Sequence, residues 1–144
     1  MRLTTTLVLL ALVLVGAAAA ARGDESPAEA ARKVAETWLP LVDEGRYGES
    51  YEALAENARE DYTRPEWEAY LAGVRRPLGK LKSRAVLRAT FVTSLPGIEG
   101  RQGAVIEYES SFEKKNDTRE TLTLLLEGDA WRVASYVTGA AGTV

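Results

Sequence analysis

The fold is decided by residues 122–135, which read LTLLLEGDAWRVAS. The dipeptide at 128–129 has the composition of a two-residue β-hairpin loop. With that loop, the apolar residues of both flanking strands fall on one face, whereas a slip of one residue would place them on opposite faces. The segment therefore predicts an antiparallel hairpin with a single register. Its predicted cross-strand pairs are Glu127 with Ala130, Leu126 with Trp131, Leu124 with Val133, and Leu122 with Ser135.

Two more strands are predicted before this hairpin. From Lys80 onward the spacing of apolar residues changes from helical to alternating. The alternation puts Arg84 on the outward face of the first strand. In the second strand Tyr108 faces inward, while Glu107 and Glu109 face outward. The first two predicted strands cover 81–91 and 104–112; the third ends at 127 and the fourth begins at 130. Between and after them we predict a loop over 94–103, a polar turn over 114–118 and a frayed tail from 139 to 144.

Three helices are predicted before the sheet. The first begins after Ser26, which can cap it, and ends at Gly45. The second covers about 47–58, and the third begins at the capping-box pair of Thr63 and Glu66. Helices that precede an antiparallel sheet are typical of the α+β class. We therefore predict three N-terminal helices packed on a curved four-stranded antiparallel sheet.

The N-terminal residues have the order of a secretory signal. A single charge, Arg2, is followed by the apolar run 7–15 and by small residues that offer a cleavage site before Ala21. The apolar run is short for an uncleaved membrane anchor, which is the alternative. We predict a signal peptide over residues 1–20 and a single domain over 26–138. The mature protein is expected to be periplasmic or secreted, without a stable membrane anchor.

The composition limits the chemistry that the domain can perform. The chain has 144 residues, a formal charge of −3, and neither histidine nor cysteine. An acidic excess argues against general binding of nucleic acid. The absence of histidine and cysteine removes the usual general base, the usual thiolate nucleophile and most metal ligands. We therefore expect no catalytic triad, no metal site and no cofactor.

Basic residues give the strongest hint of a binding surface. Six of them lie within positions 75–88, and three are predicted to share the outward face of the first strand. They would bind an anionic ligand or an acidic partner. The alternative is that they pair with Glu107 and Glu109 on the neighbouring strand. Arg75 and Arg84 are the candidate binding residues of this group.

Four sequence blocks resemble an uncharacterised family of exported bacterial proteins, the domain of unknown function DUF4019. The blocks occur in the order of the family and span about residues 30–138. The order of helices before a curved sheet also resembles the cystatin-like, nuclear-transport-factor-two-like superfamily, which implies a bent sheet around a cone-shaped pocket. That fold serves both enzymes and non-catalytic binding proteins, so it does not define a function. The blocks are WLPLVDEGRY at 38–47 with Ser50, RRPLG at 75–79 with Arg84, LPG at 95–97, and WRV at 131–133 with Tyr136.

Two functions are consistent with these features. The first is a non-catalytic binding or interaction module of the cell envelope, whose partner is an envelope protein or a small ligand. The second is a small isomerase- or hydrolase-type enzyme that uses Asp43, Tyr108 and Tyr136 in the cone. A carboxylate and a tyrosine hydroxyl that meet within hydrogen-bonding distance in a cavity would favour the enzyme. Asp43 would otherwise be an ordinary polar residue at the end of a helix.

Overall fold

The computed structural model describes residues 24–141. The signal peptide predicted for residues 1–20 lies outside this part of the chain. Four helices are followed by four strands, so the chain is α+β. Among residues 24–141, no helix has the length and apolar character that crossing a membrane requires. The elements are α1 (Pro27–Asp43), α2 (Tyr47–Glu52), α3 (Glu56–Asp61), α4 (Arg64–Arg75), β1 (Leu81–Val92), β2 (Gly103–Phe112), β3 (Lys115–Glu127) and β4 (Ala130–Ala140).

The predicted second helix is in fact two short helices, so the prediction of three helices was wrong. The break between α2 and α3 lies at Leu54, which is fully buried and forms an isolated bridge with Val133 of β4. The backbone N–H of Ala55 donates to the carbonyl of Val133 at 2.8 Å. A backbone N–H that bonds to the sheet is not available to the helix. The sheet therefore interrupts a segment whose local sequence favours one continuous helix.

The predicted helix starts are confirmed. The Ser26 hydroxyl accepts a hydrogen bond from the backbone N–H of Glu29 at 3.3 Å. At the start of α4, the Thr63 hydroxyl accepts from the N–H of Glu66, and the Glu66 carboxylate accepts from the N–H of Thr63 at 2.7 Å. Such reciprocal bonds satisfy two N–H groups that would otherwise lack partners.

Replacing Thr63 by alanine should lower the free energy of unfolding by about 1 kcal/mol. The substitution removes the side-chain acceptor of the α4 capping box. The measurement is urea unfolding followed by circular dichroism. The matched control is Thr37→Ala, which changes an exposed residue inside α1. Equal stability of the Thr63→Ala variant and the native protein would show that the cap does not contribute.

The hairpin of β3 and β4 has the predicted register only near its loop. Leu126 pairs with Trp131 and Leu124 with Val133, as predicted. A bulge then follows, so that Leu122 pairs with Tyr136 instead of Ser135. The extra residue in β4 shifts the alternation of its side chains by one position. Tyr136 therefore points into the core, where it is 1% exposed. The bulge therefore exchanges a predicted small polar residue for a large aromatic one in the core.

Strand β1 contains two irregularities that reverse the face of its middle segment. The register shifts between Leu81 and Ser83 and again between Val86 and Arg88. Arg84 lies directly opposite the buried Ser110 of β2 and shares its inward face. The prediction of an outward Arg84 was therefore wrong, because strict alternation does not continue through a bulge. Arg88 does face outward and pairs with Glu107, with 2.6 Å between Nε and Oε2.

The ends of the last strands are longer than predicted. Strand β3 already begins at Lys115, so the segment 114–118 is mostly strand and the turn is formed by Glu113 and Lys114. Strand β4 continues through Gly139 and Ala140, which pair with β3. The prediction of a frayed tail from residue 139 was therefore wrong for Gly139 and Ala140.

The four strands form one antiparallel sheet in the order β1-β2-β3-β4. Helix α1 contacts all four strands and contributes one buried stripe to a single hydrophobic core. From the sheet, inward residues at alternating positions complete this core, as the sequence predicted for β2. The stripe of α1 consists of Ala31, Ala35, Trp38, Leu39 and Val42, and its partners in the sheet include Ile106, Leu122, Leu124 and Val133.

Candidate functional site

A network of charged and polar side chains lies between the helices and the inward face of the sheet. Its centre is Glu120 of β3, which is completely buried. Strands β1, β2 and β4 each contribute one side chain to this carboxylate, and two further residues come from the ends of α1 and α4. We call this set the carboxylate network; it comprises Asp43, Arg75, Arg84, Ser110, Glu120 and Tyr136.

The Glu120 carboxylate accepts four hydrogen bonds. Arg84 donates Nε to Oε1 at 2.7 Å and Nη2 to Oε2 at 3.0 Å. The Ser110 hydroxyl also donates to Oε1, and the Tyr136 hydroxyl donates to Oε2 at 2.6 Å. A carboxylate offers about four acceptor positions. Glu120 therefore has no acceptor position left for a substrate.

Asp43, the last residue of α1, joins two arginines. Its carboxylate accepts from Arg84 at 2.7 and 2.9 Å and from Arg75 at 2.9 Å. Burial favours the neutral acid and raises the pKa of Asp43, but the hydrogen bonds and charges of Arg84 and Arg75 outweigh burial, so the pKa lies below its usual range. Asp43 is therefore a weak base.

Arg75 lies at the end of α4 and is 4% exposed. Its guanidinium stacks over the ring of Phe112, with 4.8 Å between Cζ and the ring centroid. Its Nε–H is buried and has no hydrogen-bond partner within residues 24–141. This buried cation therefore makes one ion pair, with Asp43, and one ring contact, with Phe112. The two contacts tie the end of α4 to α1 and to β2.

The two inward tyrosines differ in their hydrogen bonds. Burial, followed by the charge of Glu120, raises the pKa of Tyr136. Burial, followed by the charge of Glu36, raises the pKa of Tyr108 to about 12. The Tyr108 ring lies beside Arg84, with 6.0 Å from the Arg84 Cζ to the ring centroid. Its hydroxyl is buried without a hydrogen-bond partner in the described part of the chain.

Alkaline pH is expected to unfold the protein. A tyrosine whose pKa is higher in the folded state than in the unfolded state stabilises the fold at pH values below its unfolded pKa, here 10.0. This stability is lost as the pH rises through the folded pKa of about 12. The measurement is the ultraviolet absorbance of tyrosinate during a pH titration, with circular dichroism recorded in parallel. Tyr108 and Tyr136 should ionise only as the fold is lost. Ionisation of all six tyrosines near pH 10 with the fold intact would contradict this prediction.

The structure brings four of the five predicted binding residues into the carboxylate network and places the fifth beside it. Asp43, Arg75, Arg84 and Tyr136 belong to the network, and Tyr108 contacts Arg84. The arginines were expected at a surface, whereas here both are engaged by carboxylates of the same chain. Of the two predicted tyrosines, Tyr136 is the one whose hydroxyl donates a hydrogen bond to a carboxylate, that of Glu120.

Sequence reasoning missed Glu120, although a signal for it exists. Glu120 lies two residues before Leu122 and four before Leu124, and both leucines were predicted to face inward. Side chains two apart in a strand share a face. A carboxylate in such a series must be paired, because burying an unpaired charge is very costly.

The carboxylate network is suited to holding the helices on the sheet rather than to proton transfer. A general base needs a free acceptor position within reach of the substrate, and Glu120 offers none. The apolar cleft described in the next paragraph is lined by other residues. Within residues 24–141, no group of three or more acidic side chains is arranged to hold a metal ion.

An apolar cleft opens elsewhere, between α1 and the loop end of β4. Its volume is about 360 Å³, within the range of small-molecule sites. Trp38 and Trp131 form part of its walls, and Trp131 packs edge-on against Phe91 with 6.5 Å between ring centroids. We call this site the α1–β4 cleft; its lining consists of Lys33, Val34, Thr37, Trp38, Leu41, Ala53, Trp131, Arg132 and Val133.

Comparison with known proteins assigns the chain to a family. A comparison with curated proteins found no match. The sequence profile of a family described as a protein of unknown function, DUF4019, matches residues 34–136. That range begins inside α1 and reaches Tyr136 in β4, so it includes the whole carboxylate network and most of the lining of the α1–β4 cleft. Because the match covers more than half of the chain, the protein belongs to the DUF4019 family.

Proposed function

We propose that this protein is an exported, non-catalytic binding module that takes a ligand in the α1–β4 cleft. The observation that carries the proposal is an open, mainly apolar cleft whose walls include two tryptophans. Binding sites for small molecules are concave, mostly apolar and largely pre-formed. The walls of this cleft belong to α1, to β4 and to Ala53 at the end of α2, and α1 is anchored to the sheet by the carboxylate network.

The proposal includes a cystatin-like fold and export. Four helices before a four-stranded antiparallel sheet, with α1 across all four strands, are consistent with the former. The signal-like order of residues 1–20 supports the latter. The partner is accordingly expected in the cell envelope, as a protein or a small ligand.

The alternative of an isomerase- or hydrolase-type enzyme rests on one contact, the 2.6 Å hydrogen bond between Tyr136 and Glu120. We favour binding, because the acceptor positions of Glu120 are filled and the pKa of Asp43 is lowered. Turnover in a broad activity screen that is lost in the Asp43→Asn variant, with the fold shown intact by circular dichroism, would favour the enzyme instead.

A neutral apolar fluorophore tests the binding site. N-phenyl-1-naphthylamine should bind saturably, and Ala53→Phe, which fills the cleft, should weaken binding by at least about tenfold. The matched control is Ala69→Phe on the exposed face of α4. Thermal melts establish that both variants are folded. Absence of saturable binding, or equal binding by the two folded variants, would contradict the proposal.

Export is tested by the site of cleavage. Expression of the full chain in a Gram-negative host should give periplasmic protein that begins near Ala21 or Arg22. The measurements are cell fractionation and N-terminal sequencing. A membrane-bound form that retains Met1 would contradict the proposed signal peptide.

A further inference from the structure

We infer that the ligand of the α1–β4 cleft is a free small amphiphile that carries a carboxylate, an inference that rests on the proposed function. The apolar walls of the cleft limit what the body of the ligand can be. Val34, Leu41 and Trp131 present apolar surface, and the largely buried Trp38 also lines the cleft. Burying apolar surface is a main favourable contribution to the binding of such a ligand. An alkyl chain or a ring system fits this lining better than a polar metabolite does.

The volume of the cleft limits the size of the ligand. About 360 Å³ lies at the low end of the range for small-molecule sites. A cleft of this size holds one short chain or one small ring system. This favours a free molecule over a folded protein partner or the two chains of a membrane lipid.

The charged residues of the lining have one sign. Lys33 and Arg132 are basic, and none of the nine lining residues is acidic. This contrasts with the acidic excess of the whole chain. The charges at the cleft are therefore complementary to an anionic group on an apolar ligand.

Both cations are available to a ligand. Arg132 is exposed, and its side chain has no hydrogen bond or ion pair within the described residues. Lys33 is 62% exposed and pairs with Glu25, which precedes α1. Exposed ion pairs of this kind contribute little and are easily exchanged. The nearby carboxylates of Glu29 and Glu36 are bonded to Arg32 rather than to Lys33, although the charge of Glu29 also acts on Lys33.

The test compares octanoate, octanol and octylamine by tryptophan fluorescence. A carboxylate is better hydrated than a hydroxyl, so a cleft without cations would bind octanol more tightly than octanoate. We expect the reverse order, with octanoate binding about three- to fivefold more tightly than octanol and octylamine binding most weakly. Equal affinities for octanoate and octanol in the native protein, or tighter binding of octanol, would overturn the inference.

Paired variants identify the residues responsible. Lys33→Gln/Arg132→Gln should lose the preference for octanoate and keep the native affinity for octanol. The control Lys82→Gln/Arg88→Gln removes the same charge from β1, at the opposite edge of the sheet, and should keep the preference. Equal losses in both double variants would overturn the inference, because they would indicate the overall charge rather than the cleft.

Two outcomes separate this inference from the proposed function. Binding of octanol but not of octanoate would overturn the anionic ligand and leave the cleft as a binding site. Failure of all three ligands and of the neutral fluorophore would overturn both.

A vesicle measurement decides the source of the anionic group. Binding to phosphatidylglycerol vesicles without binding to octanoate would overturn the assignment of a free ligand.

Discussion

Replacing Glu120 by alanine is expected to lower the free energy of unfolding by about 3–5 kcal/mol. The variant leaves Arg84, which is 13% exposed, with Asp43 as its remaining ionic partner. It also removes the acceptor of two buried hydroxyls, those of Ser110 and Tyr136. Buried groups that lose a partner carry their full desolvation cost. The measurement is urea unfolding at neutral pH, followed by both fluorescence and circular dichroism.

Two further variants test whether this loss of stability comes from burying the charge of Glu120. Glu109→Ala changes an exposed carboxylate on the outward face of β2 and should alter stability by less than about 0.5 kcal/mol. Glu120→Gln keeps the shape of the side chain and loses its charge, so its effect should lie between those of the two alanine variants. A loss below about 1 kcal/mol for Glu120→Ala would mean that the carboxylate network does not hold the helices on the sheet.

Replacing Leu124 by aspartate should also cost about 3–5 kcal/mol. Leu124 is 0% exposed and lies opposite Val133 beneath α1, so the new carboxylate would be buried without a partner. The control is Val137→Asp, which makes a similar change at a β4 position that is 48% exposed. The measurement is the shift of the thermal midpoint of both variants. Similar midpoints for the two variants would contradict the inward orientation of Leu124.

The local elements of the fold could be predicted because their signals lie within a few residues. The capping box of α4 needs only the spacing of Thr63 and Glu66, and the hairpin loop needs only the dipeptide at 128–129. Alternation of apolar residues gave the inward face of β2 correctly, with Tyr108 buried and Glu109 exposed. Short-range stereochemistry decides these features.

The partners of the candidate residues could not be predicted in the same way. Asp43 and Arg84 are 41 residues apart, and Arg84 and Glu120 are 36 apart. Their contacts depend on how α1 crosses the sheet and on the faces that β1 and β3 present. The α1–β4 cleft likewise combines residues that are far apart in the chain. Such sites become visible only when the elements are packed together.

The sequence alone determined the α+β class, the order of helices before strands, the loop end of the last hairpin and the DUF4019 resemblance. The tertiary structure decided the break between α2 and α3, the inward turn of Arg84 and the inward position of Tyr136. The physical reason is common to all three. Each is a local departure from regular geometry that brings a buried group to its partner, and the partner is supplied by a distant part of the chain.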